Sequence, residues 1–290
     1  MKVLLHHRCA VLVLVIACLD GSAAAAPVGL PEDFESNMVG SFPVGWSDVA
    51  NVDPASTTPK PSAVVVSTTN AFGNPTRALA TLPGFAPSQG IYRSIAPSNS
   101  YSMSVDVRVD RFSDFDSNAD PVACGCPPGA VVFDWPMQVG FSQLQGTLDP
   151  AKVPTVGLFV GAVSQSWRLF TGTANTFGEP DLGVPVVLGT WYGLQLDLDA
   201  LAGTLHSRIT DVATGSTLLD TVTSLSQFGA WDPAVDGQFN IESFLGGELS
   251  ATTTSGLAVV DNINVPIPEP AAVMLLASAL AFGAAVRRRR

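Results

Sequence analysis

Trp191-Tyr-Gly-Leu-Gln-Leu-Asp-Leu-Asp199, followed after a short turn by Gly203-Thr-Leu-His-Ser-Arg-Ile-Thr-Asp211, is the stretch that decides the fold. Both segments alternate. Tyr192, Leu194, Leu196 and Leu198 fall on one side of the first, with Gln195, Asp197 and Asp199 on the other. Leu205, Ser207 and Ile209 oppose His206 and Arg208 in the second. Period two is the signature of a half-buried strand, because successive side chains leave a pleated backbone on opposite faces. Tyr101 to Val109 repeats the pattern: Tyr101, Met103, Val105, Val107 and Val109 alternate with Ser102, Ser104, Asp106 and Arg108.

Working outward, further strands are expected over Ala63–Ser67, Arg77–Leu82, Met137–Phe141, Val156–Val163, Trp167–Phe170, Thr217–Val222, Gln238–Phe244 and Leu257–Val265. Clusters such as Asn70-Ala-Phe-Gly-Asn-Pro75 and Ala213-Thr-Gly215 supply the turns between them. No helical period and no fixed-length repeat interrupts the body, residues 27–265. The fold class that follows is all-β: a two-sheet antiparallel β-sandwich, a jelly roll, in one domain. Asp110 to Gly129 is long for a connection and is expected to be a loop.

The two ends read differently. Lys2 and Arg8 precede an apolar run from Ala10 to Leu19, and Gly21 to Ala26 is a tract of small residues, so residues 1–26 read as a signal peptide. Cleavage after Ala25 or Ala26 is one route. The other is lipoprotein processing at Cys18, because Val15-Ile-Ala-Cys18 has the form of a lipobox. At the other end, 266–290 holds Pro268-Glu269-Pro270, an uncharged apolar run 271–286, and Arg287, Arg288, Arg289 and Arg290. Sixteen residues of helix span about 24 Å, so a membrane helix here needs thinner lipid or snorkelling arginines. The basic end favours the cytoplasmic side and leaves the body outside.

With the ends set aside, the body carries eight Lys and Arg against twenty-three Asp and Glu, a balance of about −15. This argues against nucleic acid and anionic lipid as partners of the body. Catalytic signals are sparse. His206 is the body's single histidine and is expected on the polar face of its strand, and no Gly-x-Ser-x-Gly elbow presents a serine. One histidine and two cysteines are too few for the usual zinc site. Cys124 and Cys126 are expected to form a small disulfide ring across Gly125, or to pair between molecules, in an oxidising compartment. Asp114, Asp116, Asn118 and Asp120 place oxygen side chains at every second position of the long loop, which suits calcium; a solvated acidic loop is the alternative. It is not an EF-hand, since Ala119 and Gly125 stand where glycine and glutamate would be needed. Among the aromatic residues, Trp135 and Trp231 stand beside prolines and aspartates, where exposure to a glycan is expected.

The tail resembles the PEP-CTERM sorting signal of Gram-negative bacteria. That resemblance implies export across the inner membrane, processing by an exosortase-type protease, and attachment at or release from the cell surface, often beside exopolysaccharide. The body resembles the concanavalin A-like lectin/glucanase superfamily, including LamG-type modules. The likeness is carried by Asp33-Phe34-Glu35, Pro43 to Trp46, Thr190-Trp191-Tyr192, Gly203 to Asp211 and Val260 to Val265. It implies a jelly roll, and a structural calcium between first and last strands with Glu35 and Asp261 in the analogous places; ordinary strand-end polarity of those two residues is the alternative. The Glu-x-Asp-x-x-Glu strand common in glycosidases of that superfamily is missing. The expectation is therefore a non-catalytic, surface-sorted protein of the envelope or matrix that contacts polysaccharide. The alternatives are a glycan-active hydrolase or lyase, and a structural matrix protein without a ligand.

Overall fold

Strict alternation on three consecutive strands places one wall of the core, and a computed structural model of the chain shows what it packs against. The structure describes residues 30–49, 63–81, 88–112, 134–143, 155–161, 164–173, 176–178, 180–225, 231, 235–245 and 257–266. Within them the first eight strands are β1 (Leu30–Glu32), β2 (Ser47–Val49), β3 (Ala63–Thr69), β4 (Pro75–Thr81), β5 (Ser88–Ile95), β6 (Ser100–Arg111), β7 (Asp134–Ser142) and β8 (Thr155–Gly161). The remainder are β9 (Ser166–Thr173), β10 (Thr176–Gly178), β11 (Asp181–Pro185), β12 (Trp191–Asp199), β13 (Thr204–Asp211), β14 (Ser216–Ser224), β15 (Gly237–Leu245) and β16 (Leu257–Val265).

They form two antiparallel sheets of eight strands. The first runs β14-β13-β12-β6-β16-β4-β3, with β1 added to β16; the second runs β10-β9-β8-β7-β15-β5-β2, with β11 added to β9. In the first, the register stacks like on like: Leu194 lies opposite both Val105 and Ile209, and Leu198 opposite Tyr101 and Leu205. Their inward side meets Val139, Phe141, Leu158, Leu169, Phe239 and Ile241 of the second sheet in one continuous core. Tyr101–Phe141 (ring centroids 5.6 Å apart) and Trp167–Tyr192 (5.6 Å) join the sheets through aromatic contacts. The all-β sandwich expected from the periodicity is the architecture observed.

Five strands were not expected: β1, β2, β5, β10 and β11. Four are five residues or shorter, and the fifth, Ser88-Gln-Gly-Ile-Tyr-Arg-Ser-Ile95, carries a glycine and little β-branching. Trp191 and Tyr192 point to opposite faces, yet both are buried. Tyr192 enters the main core, whereas Trp191 joins Ala78, Ala80 and Val259 in a small apolar cluster on the outer side. The Arg108 guanidinium stacks 5.0 Å from the Trp191 ring, and the indole N–H donates to the Thr69 carbonyl at 3.0 Å.

Leu196 is fully buried and Leu201 is 77% exposed. Leu196→Ala is expected to cost about 2–5 kcal/mol and Leu201→Ala less than about 0.5 kcal/mol. Urea unfolding of the two variants checks this, and near-equal losses would contradict the packing.

Candidate ligand-binding face and a carboxylate corner

The outward side of the second sheet is polar where an ordinary solvent face would be exposed. On β15 the alternation that sends Phe239 and Ile241 inward sends Gln238, Asn240 and Glu242 outward. Cross-strand register lines them up with their neighbours. Glu242 lies between Gly90 and Gln138, Asn240 between Tyr92 and Gly140, and Gln238 between Ser94 and Ser142. The rows continue through Gln138 to Phe159 and Arg168, and through Gly140 to Gly157 and Phe170.

The centre of this face is withdrawn from water: Gln138 is 2% exposed, Ser142 2% and Asn240 1%. Tyr92, Gln238, Glu242, Arg168 and Phe170 around it are half-buried. Gln138 Oε1, Ser142 Oγ, Asn240 Oδ1 and Gln238 Oε1 are buried without a hydrogen-bond partner. Such an atom costs about 1–3 kcal/mol, so four on one face point to a use other than stability. Asn240 donates its amide to Glu242 Oε1 at 2.6 Å, and burial pushes the Glu242 carboxyl above its ordinary range.

Glycines shape the same face. A Cβ on Gly140 would run into the Val156 carbonyl oxygen, and one on Gly157 would lie 2.6 Å from that of Val139, so β7 and β8 approach too closely for side chains here. A Cβ on Gly90 would lie 2.6 Å from Glu242 Cγ; that space belongs to the glutamate. Glycine inside a strand commonly marks such close approach by backbone or ligand.

A second constellation joins the beginning and end of the body. Asp261 on β16 and Asp106 on β6 are directly opposite across the ladder. Glu35, just after β1, reaches the same corner through Thr76. The Thr76 hydroxyl oxygen lies 2.7 Å from Glu35 Oε1 and 3.1 Å from Asp261 Oδ2. One hydroxyl hydrogen serves one carboxylate, so the pair is satisfied when Asp261 carries a proton and donates it to Thr76. Burial, with Asp106 and Glu35 nearby, raises the Asp261 carboxyl to about 6. The Asn262 backbone N–H donates to Asp261 Oδ1 at 2.8 Å and its side-chain amide to Asp106 Oδ2 at 2.8 Å.

Glu35 and Asp261, set far apart in sequence, are thus brought to one corner. A hard cation needs six to eight oxygens converging on a point. Here Glu35 Oε1 accepts from the Arg77 N–H at 2.9 Å, and the Asp261 and Asp106 oxygens are turned onto Thr76 and Asn262. No group of three or more acidic, histidine or cysteine ligands converges among the described residues.

The other sequence candidates divide. Asp114, Asp116, Asn118, Asp120, Cys124, Cys126, Pro268, Glu269, Pro270 and the four terminal arginines lie outside the described residues, as does the run 271–286. No helix among the described residues is long and apolar enough to cross a membrane. Trp135, expected to be exposed, stands in β7 opposite Phe244; its side chain lies outside what is described. Trp231 was expected to be exposed and is instead half-buried against the core, its ring 5.4 Å from Tyr101 in an edge-on contact. His206 is on the polar face as expected. It sits between Asp197 (3.4 Å) and Asp220 (2.6 Å), beside Arg208, in a network across the outer side of the first sheet. Asp197 also accepts from Ser102 and from Gln195 at 2.8 Å, and with Asp199 it lines a shallow pocket beside Pro266.

No protein-family model and no curated protein matches the chain. Among solved structures, alginate lyase A1-II' is similar at 9% identity and a TM-score of 0.41, over 70% of this chain and 83% of that one. The carbohydrate-binding module CBM66 from Bacillus subtilis is similar at 11% and 0.37, over 71% and 96%. Lectin I from Ulex europaeus, in complex with the methyl glycoside of α-L-fucose, is similar at 11% and 0.41, over 77% and 92%. Likenesses this distant carry no argument about family or activity.

The corner has a pH signature. A carboxyl whose folded pKa lies near 6, against about 4 unfolded, adds stability that is complete below about pH 4 and lost as the pH rises through 6. The difference in unfolding free energy between wild type and Asp261→Asn should shift by roughly 2–3 kcal/mol across that window, against the wild type at higher pH. Denaturant titrations at pH 4, 5, 6 and 7 measure it; a difference independent of pH would contradict the shared proton.

Proposed function

We propose that this chain is an exported, surface-sorted, non-catalytic β-sandwich protein of the envelope or extracellular matrix that binds polysaccharide on the outer face of its second sheet. The observation that carries the reading is the row of buried, unpartnered amide and hydroxyl oxygens beside the Gly140–Gly157 pair. A sugar hydroxyl that reached them would supply the hydrogens those oxygens lack, and the cost of holding them out of water is already met in the free protein. Tyr92 and Phe170 stand at the two ends of the Asn240–Gly140–Gly157 row, four strand spacings or about 19 Å apart, where ring faces suit the apolar side of a sugar. The concanavalin A-like resemblance of the sequence agrees with this reading, and the leader and the Pro268-Glu269-Pro270 tail support export and exosortase-type processing.

A glycan-active hydrolase or lyase is the second reading, favoured by one observation. Glu242 is a carboxyl whose neutral form is stabilised beside the candidate face, and such a group can deliver a proton. Loss of polysaccharide-degrading activity in Glu242→Gln would establish it; no activity in wild type on a broad panel would exclude it.

Binding is tested by affinity electrophoresis through polysaccharide gels. Asn240→Ala and Gln138→Ala are each expected to weaken retardation about three- to tenfold, as the loss of one hydrogen bond does. Unchanged retardation in both would remove the face from the reading. Sorting is tested separately by intact mass of the protein from its native host. Wild type should lose its C-terminal residues and a Pro268-Glu269-Pro270 replacement should keep them; equal masses would refute processing.

A further inference from the structure

Resting on the export and sorting reading above, we infer that the body meets the bilayer with the end of the sandwich at Pro266. The turn Ala200-Leu201-Ala202 is then its contact with the lipid headgroups while the tail is in place. The first ground is reach. β16 closes at Val265, the described residues end at Pro266, and the apolar run starts at Ala271. Five residue steps span at most about 18 Å even when fully extended, so Pro266 stays within that distance of the start of the run. The leader leaves from the same place, since Leu30 lies opposite Val265. A lipid on Cys18, twelve residues before Leu30, would hold down the same end.

The second ground is what stands beside Pro266. It shares a shallow pocket with Ser100, Ser102, Asp197 and Asp199. β12 ends at Asp199 and turns into β13, and the Ala200 N–H donates to the Asn99 carbonyl at 2.8 Å, so two turns lie side by side at this end. Turns that face water are usually built from polar residues. The tip of this one is Ala200, Leu201 and Ala202, with Leu201 77% exposed. Asp199 Oδ1 accepts from the Ala202 N–H at 2.8 Å, which holds the tip in shape. One exposed leucine is ordinary on a protein surface. Beside a short leash it acquires a use, because the tether keeps the local concentration of lipid high. The carboxylates of Asp197 and Asp199 stand behind the tip and keep to water, which limits the contact to the turn itself. Other exposed apolar side chains are worse placed. Leu188 precedes β12, whose length of about 27 Å separates it from Leu201. Met38 lies on the flank, in the loop that covers the edge of β3 through the Gly40 N–H and the Val65 carbonyl at 2.8 Å.

The test uses the full chain, tail included, in phosphatidylcholine nanodiscs, with methyl-labelled leucine and methionine read by NMR. Spectra are taken with and without a lipid carrying a nitroxide on its headgroup, and Leu201→Ala, Leu188→Ala and Met38→Leu identify the three signals. With about 27 Å between the two ends, the nitroxide is expected to broaden the Leu201 methyls about threefold or more beyond those of Leu188 and Met38. If Leu188 or Met38 is broadened as strongly, the body lies on its side or points the other way. If Leu201 is untouched, this end stands clear of the lipid. Either result overturns the inference while the membrane anchor stands. A chain that fails to elute with the discs removes the anchor, and the inference falls with it.

Discussion

The ladder β13–β12–β6–β16 is the constraint on which the rest of the molecule depends. Each of its strands turns a nearly unbroken apolar row inward, and antiparallel register sets those rows against one another, Leu194 with Val105 and Ile209, Val260 with Val107. Because the side-chain period is two, a slip of one residue would turn Leu194, Leu196 and Leu198 out to water and bring Gln195, Asp197 and Asp199 in. The second sheet has no such insurance. Its strands β7, β8 and β15 are covered on both sides over much of their length, and their position follows from the wall the first sheet presents.

This difference explains what was legible in the amino-acid sequence. Strands with one wet and one dry face announced themselves, and β12 and β16 are observed over the residues expected, Trp191–Asp199 and Leu257–Val265. The partnership of Glu35 with Asp261 could be anticipated only through family resemblance, and the Thr76 hydroxyl that joins them was not foreseen. The polar residues of the candidate binding face were missed. In Met137-Gln-Val-Gly-Phe141 and Gln238-Phe-Asn-Ile-Glu242 the polar residues alternate as they would on any solvent-facing strand, and nothing local says that the polar side is the withdrawn one. The available signal was the set of glycines inside apolar strands, Gly90, Gly140 and Gly157, which become informative only once the register sets Gly140 against Gly157.

The outer face of the first sheet holds its polar groups differently from that of the second. Around His206 each acidic group is met by a donor: Asp220 by His206 and Arg208, which hold its carboxyl below the usual range, and Asp197 by Ser102 and Gln195. Such a surface is complete in itself. On the second sheet Gln138, Gln238, Asn240 and Ser142 keep buried oxygens without a partner, at greater cost.

The pairing of Leu30 with Val265 has a mechanical meaning. The first and last strands of the body meet side by side, so the chain enters and leaves at one corner, and a tether at the last strand pulls where the first begins. Since β16 is flanked by β6 on one side and by β4 and β1 on the other, tension along it loads both neighbours in shear. Ladder bonds pulled in this direction share the load and yield together. A domain pulled along that strand would resist being peeled open.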